Sequence, residues 1–224
     1  AAQQYGIPYN PDFNGARQEG VGFYQLTQKD GRRSSAASAY LGPAKSRKNL
    51  EVRMGVLVSR IVIENNRAVG VELAGPSGAE IIRAEREVIV TSGAIGSPKM
   101  LLQSGIGPAD ELKAAGVKPV HDLPGVGKNL QDHLDLFVIS HCSGPFSYDS
   151  YAAPHRALWA GIQYFMFKRG PAASSLFETG AFWYSDKTAP LPDIQLHFGQ
   201  GSGIEAGVAK SANGGVTLNA AFMR

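Results

Sequence analysis

A run of small residues beside an apolar segment is the first feature of this sequence that could do chemistry. The apolar segment, Val-Ile-Val at residues 88–90, is followed by Ser92, Gly93 and Ala94. A strand that runs into a glycine-rich turn and a helix start is a common seat for a phosphate or a flat cofactor, because backbone N–H groups face the ligand there. Small residues also let a helix pack tightly against a sheet, so both interpretations stay open.

The other residues that could bind a metal or attack a substrate do not form a working pattern. Ser202 lies between two glycines, but Gln200 stands where a nucleophile elbow has glycine, which disfavours a hydrolase. No two histidines form an i,i+4 pair on a predicted helix, and we therefore predict no metal site. The histidines are His121, His133, His141, His155 and His197.

The elements that would position these residues can be predicted from hydrophobic periodicity. Residues 50–82 alternate apolar and polar side chains between turn signals, including one at residues 75–78, which indicates a β-meander. The wholly apolar run at 88–90 predicts a strand covered on both faces. Ser97 and Pro98 favour a helix that begins there. We also predict short helices at 34–41 and from Pro108 to Gly116, a helix from Pro154 to Lys168, and strands at 136–140, 194–198 and 216–218.

The longest predicted helix carries one apolar stripe. Leu158, Ile162 and Phe165 are spaced to lie on one face, with Trp159 and Met166 beside them. We expect this stripe to pack in the core, and a partner-binding face is the alternative.

Composition excludes several classes of protein. The 224 residues are 43% hydrophobic, and 22 basic against 19 acidic residues give a net charge of +3, too mild to indicate a nucleic-acid partner. Cys142 is the only cysteine, which fits a reducing compartment. No apolar stretch approaches the ~20 residues of a membrane helix. We expect a cytoplasmic protein, with peripheral membrane association left open. Since the sequence begins with Ala1, we expect a processed chain or part of a larger one.

An ordered series of motifs resembles the glucose–methanol–choline (GMC) oxidoreductases, which are flavoproteins that oxidise alcohols with FAD. The series covers nearly the whole chain and looks closest to the choline-dehydrogenase-like branch. It comprises Phe-Asn-Gly-Ala at 13–16, Gly-Arg-Arg-Ser-Ser-Ala-Ala-Ser-Ala-Tyr-Leu at 31–41, Gly-Ala-Ile-Gly-Ser-Pro at 93–98, Ser-Gly-Ile-Gly at 104–107, and Leu-Pro-Gly-Val-Gly-Lys-Asn-Leu-Gln-Asp-His at 123–133.

The resemblance implies an α/β fold with α+β elements. Residues 1–134 would form part of an FAD-binding Rossmann-like domain with a β-meander, joined to part of an antiparallel-sheet substrate domain at residues 135–224. The family's GxGxxG unit is not found, and its catalytic histidine pair would follow Arg224. We therefore expect a central fragment with no catalytic residue of its own, which alone is inactive and binds little or no FAD.

The resemblance also assigns site residues. Ser92, Gly93 and Ala94 would let the main chain lie beside FAD, and the main chain of Val58 would contact the adenine. Glu178 matches the carboxylate that choline-oxidising members place at the quaternary ammonium, although an acid there also occurs in members with neutral substrates. His197 would line the substrate cavity, or else be a core histidine.

The predicted function is FAD-dependent oxidation of the CH–OH group of a primary alcohol, choline-like or other, by hydride transfer to flavin. The sequence does not indicate the electron acceptor. It leaves open that the protein forms a homo-oligomer. The alternative is a non-catalytic binding or scaffold domain with the family shell and no cofactor. A nicotinamide-dependent enzyme is disfavoured, since no dinucleotide fingerprint is present.

Overall fold

The computed structural model describes residues 1–75, 78–186, 188–203 and 214–223. It forms two compact units. The first unit consists of Ala1–Arg47 together with His133–Arg224, and the second unit consists of Lys48–Asp132. Both combine helices with antiparallel strands, which confirms the predicted mixed fold class. The units place residues 1–47 with the C-terminal part of the chain, whereas the functional assignment of residues 1–134 and 135–224 to two domains stays a prediction.

The regular elements of the described residues alternate along the chain. The strands are β1 Gly20–Phe23, β2 Gln28–Lys29, β3 Arg32–Arg33, β4 Leu57–Glu64, β5 Arg67–Ala74, β6 Glu80–Arg83, β7 Ile106–Gly107, β8 His121–Asp122, β9 Leu134–His141, β10 Thr179–Trp183, β11 Ile194–Gly199 and β12 Gly215–Phe222. The helices are α1 Gly42–Ala44, α2 Gly93–Gln103, α3 Ala109–Ala114 and α4 Pro154–Phe167. Single turns of π-helix (Ala37–Leu41) and 3-10 helix (Tyr148–Ala152, Pro171–Ala173) join them.

The first unit is built on a five-stranded antiparallel sheet in the order β1-β10-β11-β12-β9. β12 lies inside the sheet, and its alternate residues Gly215, Thr217, Asn219 and Ala221 are buried, as the two-residue period of a strand requires. The three strands predicted at 136–140, 194–198 and 216–218 are confirmed and are longer than expected.

The second unit contains the predicted β-meander, formed by β4, β5 and β6. The meander begins at Leu57, so the expectation that it starts at residue 50 is wrong. The predicted turn at 75–78 includes residues 76 and 77, which lie outside the described part of the chain. Arg60 pairs with Glu72 at 2.6 Å across the meander, with the Arg60 side chain 50% exposed. Because exposed pairs contribute only about 0.2–1 kcal/mol, the buried side chains of Ile61 and Leu73 hold this sheet together.

Two predictions around residue 90 are wrong. Residues 88–90 belong to no strand, no strand of the described chain pairs with them, and Ile89 is 74% exposed. A strand exists only where neighbouring strands take its hydrogen bonds, which an apolar run cannot reveal. α2 begins at Gly93, so Pro98 lies inside the helix, and the Ser97 hydroxyl accepts the Ser92 N–H at 3.1 Å.

The predicted short helices are confirmed with changed ends. The helix expected at 34–41 was to stop at Gly42, but helical turns continue through Gly42–Ala44. They can continue because Pro43 occupies one of the first positions of α1, where proline is tolerated. α3 follows Pro108, with Asp110 and Glu111 in its first turn where they face the positive end of the helix dipole. No helix in the described residues has the length and apolar character needed to cross a bilayer.

The helix α4 is confirmed, but the expectation that its stripe packs in the core is wrong. Leu158, Ile162 and Phe165 are 67%, 42% and 75% exposed, whereas Ala160 is 6% exposed. The helix packs through its opposite side against the 3-10 turns Tyr148–Ala152 and Pro171–Ala173. Ala160 is the buried residue of α4. Periodicity alone does not say which face of a helix the protein covers.

One carboxylate oxygen fastens three segments of the first unit. Asp149 Oδ2 accepts the Ser202 N–H at 3.0 Å, the Ser202 hydroxyl at 2.8 Å and the Gly215 N–H at 2.9 Å. The Ser147 hydroxyl donates to the same oxygen at 3.4 Å, and both serines are buried. Hydrogen bonds to an ionised acceptor are stronger than neutral ones, so Asp149 fixes the start of β12 to the turn before α4.

Replacing Asp149 with alanine is expected to lower the free energy of unfolding by about 2–3 kcal/mol, because buried donors lose their acceptor. Asp110→Ala is the matched control, since the Asp110 side chain is 99% exposed and its ion pair among the described residues is the one with Lys113 at 3.4 Å. Urea denaturation of both variants measures the difference. Equal stability of the two variants would contradict the role given to Asp149.

Candidate functional site

A cavity of about 450 Å³ lies in the first unit, on the five-stranded sheet. Its floor is a row of residues that face one another across three strands, His197 on β11, Asn219 on β12 and Phe137 on β9. Side chains in register on neighbouring strands share a face of the sheet. The complete lining is Tyr24, Gln25, Leu26, Asp135, Phe137, Ser175, Phe177, His197 and Asn219.

Tyr24 forms one wall of this cavity because residue 180 has no side chain. The Tyr24 hydroxyl donates to the Leu196 carbonyl at 2.6 Å, across β10. A Cβ at Gly180 would lie 2.2 Å from the Tyr24 hydroxyl oxygen and 2.1 Å from the Leu196 carbonyl oxygen. Burial raises the pKa of Tyr24, so its hydroxyl stays protonated and keeps donating at neutral pH.

Aromatic rings and one carboxylate give the cavity its electrostatic character. The rings of Tyr24 and Phe177 lie 5.4 and 6.0 Å from the His197 ring, centroid to centroid. Burial lowers the pKa of His197 below its ordinary value of 6.5, and the nearby Asp135 carboxylate opposes this shift without cancelling it. The imidazole is therefore neutral at pH 7. Neutral rings beside a carboxylate are suited to an organic cation.

Of the two substrate residues predicted from the sequence, His197 lies in the cavity and Glu178 is not among its lining residues. Glu178 is half-buried just before β10, and its backbone carbonyl accepts the Tyr24 N–H at 2.9 Å. Sequence reasoning missed Tyr24, Asp135 and Asn219, which come from distant parts of the chain. Asp135 and Phe137 are two residues apart on one strand, and residues with this spacing share a face of the sheet. That spacing was the signal in the sequence that could have found them.

The second unit has a larger groove, of about 810 Å³, beside α2. Ala94 lines it, whereas Ser92, Gly93 and Val58 are not among its lining residues. Helix α2 contributes most of one wall, and the loop at 127–131 contributes the other. The lining residues are Ala94, Ile95, Pro98, Lys99, Leu102, Gln103, Gly127, Lys128, Asn129, Leu130 and Gln131.

The glycines around α2 serve two different purposes. Gly93 has φ +84°, a conformation that favours glycine, yet a Cβ there would meet nothing within 4 Å. Gly105 is packed, since its Cβ would lie 2.5 Å from the Lys118 carbonyl oxygen. Tight packing therefore explains Gly105 but not Gly93, whose backbone faces open space at the start of the helix.

The groove's chemistry fits a flat, anionic nucleotide. The first N–H groups of an α-helix have no intrahelical acceptor and attract phosphate, and α2 is 11 residues long. Lys99 and Lys128 add positive charge, although Lys128 also pairs with Glu111 at 2.6 Å. The exposed side chains of Ile95 and Leu130 offer apolar surface to a ring system.

Val58 lies on β4, the strand on which α2 packs. The register of its pairing with β5 shifts between Val58 and Arg60. The two elements are joined by Ser104, whose hydroxyl accepts the Ile61 N–H at 2.8 Å and donates to the Met100 carbonyl at 2.6 Å. Ser92, Gly93 and Ala94 thus lie at the start of α2, and Val58 lies on the adjoining strand. The described residues contain no group of His, Cys, Asp or Glu suited to a metal ion.

Gly180→Ala is expected to displace the Tyr24 ring and lower the free energy of unfolding by about 1–3 kcal/mol, because an added methyl cannot share the space of the phenol. Gly161→Ala in α4 is the matched control. A Cβ at Gly161 meets nothing within 4 Å, so that change should stabilise the helix by about 0.5–1 kcal/mol. Thermal denaturation and near-UV circular dichroism measure both effects, and an undisturbed tyrosine signal in Gly180→Ala would contradict the assignment.

Solved structures share this architecture. Pyridoxine 4-oxidase from Mesorbium loti matches 99% of this chain and 40% of its own, with a TM-score of 0.78 and 29% identity. A formate oxidase matches 99% of this chain and 43% of its own, with a TM-score of 0.85. At 22% identity the second likeness shows the fold alone.

Sequence relatives define the class more narrowly. The family model described as GMC oxidoreductase matches residues 1–135, and the chain belongs to this family. Human mitochondrial choline dehydrogenase is 45% identical over 88% of this chain and 33% of its own length. The oxygen-dependent choline dehydrogenase of Brucella anthropi is 40% identical over 100% of this chain and 43% of its own length. The chain therefore spans less than half the length of either relative.

Proposed function

We propose that the polypeptide containing this chain is an FAD-dependent oxidoreductase that oxidises the CH–OH group of a primary alcohol with a choline-like cationic head. Family membership and the choline dehydrogenase relatives support the reaction class. The cavity bounded by Tyr24, Phe177, neutral His197 and Asp135 carries the substrate proposal, because its rings and carboxylate complement a quaternary ammonium.

The proposed cofactor residues are those at the start of α2 and on β4. Main chain at Ser92, Gly93 and Ala94 would lie beside FAD, main chain at Val58 would contact the adenine, and Lys99 would complement phosphate. The open backbone at Gly93 supports this assignment. FAD, when bound, supplies the acceptor for the substrate hydride. Residues of this chain would hold the cofactor and orient the substrate, and we assign no catalytic base among the described residues.

The proposed substrate residues act by electrostatics and exclusion of water. His197 would present a neutral imidazole face to the cation, and the Tyr24 hydroxyl, already bonded to Leu196, would keep its ring in place. Asp135 would supply the negative charge. Glu178, the carboxylate implied by the family resemblance, is the competing candidate for that role. Residues 1–134 and 135–224 remain the proposed flavin and substrate portions, and we assign no electron acceptor.

Ala94→Leu is expected to reduce FAD content at least about tenfold, because the larger side chain fills the groove where the nucleotide would lie. Ala94 is a better position for this test than Gly93, because a side chain at Gly93 would strain the backbone at φ +84° whether or not FAD binds there. Flavin absorbance per mole of the purified polypeptide measures the effect. The control is Ala114→Leu, which adds the same bulk at an exposed position of α3.

Unchanged flavin content in Ala94→Leu would contradict the cofactor assignment. A colourless wild-type polypeptide that cannot be reconstituted with FAD would instead support the alternative of a non-catalytic binding domain.

Asp135→Asn is expected to lower kcat/KM for choline about fivefold while leaving kcat/KM for its neutral isostere 3,3-dimethylbutan-1-ol unchanged, since one partly solvated charge contributes about 1 kcal/mol. Steady-state kinetics with an artificial acceptor on the full polypeptide measures both. Glu178→Gln is the matched control and should leave both values unchanged. Loss of choline preference in Glu178→Gln but not in Asp135→Asn would assign the cation site to Glu178. A wild type that does not prefer choline would refute the cationic substrate.

A further inference from the structure

One buried polar side chain differs from the others in the described residues, because it has no hydrogen-bond partner there. That side chain belongs to Asn219 on β12, which is 6% exposed. The other buried polar side chains all have partners among the described residues, and they belong to Asn10, Ser104, Ser147, Asp193, Ser202 and Thr217. Leaving a buried amide unpaired is unfavourable, so the exception calls for an explanation.

The amide of Asn219 opens into the candidate substrate cavity. In the part of the chain that the structure describes, every side-chain nitrogen or oxygen that is fully enclosed has a hydrogen-bond partner. Since the Asn219 amide has no such partner, it is not fully enclosed. The space that it meets is the cavity, because Asn219 is one of the cavity's lining residues.

The neighbours of Asn219 on the sheet explain why its amide is unpaired. Asn219 lies directly opposite His197 on β11 and Phe137 on β9. Side chains in these positions have their Cβ atoms about 4.5–5.5 Å apart, so these two are the nearest to the amide. The phenyl ring of Phe137 carries no polar atom, and the two residues therefore leave the amide to a ligand. An amide can donate through its nitrogen and accept through its oxygen.

The amide lies a short distance along the sheet from the proposed cation site. Asp135 precedes Phe137 by two residues on β9, which makes it a diagonal neighbour of Asn219, and diagonal neighbours are about 7–8 Å apart. In a choline-like alcohol two carbons separate the nitrogen from the oxygen. A molecule with its ammonium beside Asp135 can therefore bring its oxygen within hydrogen-bond distance of Asn219, about 2.9 Å.

We propose that Asn219 is a specificity-determining residue that hydrogen-bonds the hydroxyl oxygen of the substrate. Its amide N–H donates to this oxygen, which leaves the hydroxyl proton for a base that lies outside the described residues. Asp135 and the aromatic rings hold the cation, and Asn219 selects molecules that also carry an alcohol. This inference rests on the proposed alcohol oxidation, but it does not require that the substrate be cationic.

The test is Asn219→Ala in the full polypeptide, with steady-state kinetics and competitive inhibition. We expect kcat/KM to fall by about three- to tenfold, and by the same factor for choline and for 3,3-dimethylbutan-1-ol, because both alcohols lose one hydrogen bond. The inhibition constant of ethyltrimethylammonium, which has the cation but no hydroxyl, should stay unchanged. Asp135→Asn is expected to give the opposite pattern, since it affects only the molecules that carry a charge.

Thr217→Val is the matched control. Thr217 precedes Asn219 by two residues on β12 and is equally buried, but its hydroxyl donates to the Gly201 carbonyl at 2.7 Å. Thr217→Val should therefore lower the melting temperature and leave the kinetic constants unchanged. Asn219→Ala should melt close to wild type, because no described residue loses a partner.

Three results would overturn the proposal. The first is unchanged kcat/KM for both alcohols in Asn219→Ala, and the second is an equal weakening of ethyltrimethylammonium binding. The third is a lower melting temperature with unchanged kinetics, which would assign the amide to a partner within the polypeptide. A wild type that does not prefer choline would refute the cationic substrate alone, because the neutral alcohol still reports on Asn219.

Discussion

The bare backbone at Gly180 is the constraint on which the candidate substrate cavity depends. It lets the Tyr24 ring rest across β10 and reach the Leu196 carbonyl on β11. The same ring lies 5.4 Å from Phe13 and 6.3 Å from Phe182, both of which are buried. Tyr24 thus connects the aromatic core of the first unit to the cavity that holds His197. Without this crossing, the rings that face a ligand would have no rigid support.

The two candidate sites use the fold in different ways. The groove of the second unit relies on backbone, because the start of a helix offers N–H groups whatever the side chains are, and small residues keep that backbone accessible. The cavity of the first unit relies on side chains carried by separate strands and brought into one row by register. A nucleotide needs the first kind of surface for its phosphates, and an organic cation needs the second for its charge and methyl groups.

Local patterns predicted local structure well. The β-meander, α3, α4 and three strands of the large sheet follow from period and turn chemistry, and the ordered motif series is sufficient to indicate the family. What depends on neighbours distant in sequence was not predictable: residues 88–90 lack strand partners in the described chain, and the α4 stripe faces outward. Asp135 enters the cavity only because β9 pairs with β12, a contact between segments about eighty residues apart in the chain. His197 and Glu178 were both predicted from the family resemblance, while the position of Glu178 outside the cavity lining depends on how the strands fold around it.

The closeness of residue 180 to the phenol also bears on how relatives can diverge. Any side chain at position 180 would occupy the place of the Tyr24 hydroxyl, so a relative that acquires one must shorten or reorient the residue at position 24. The two positions should therefore change together during evolution, although they are far apart in sequence. Members that keep the glycine and tyrosine pair would inherit the same cavity wall, and members that lose it would need to build a different one.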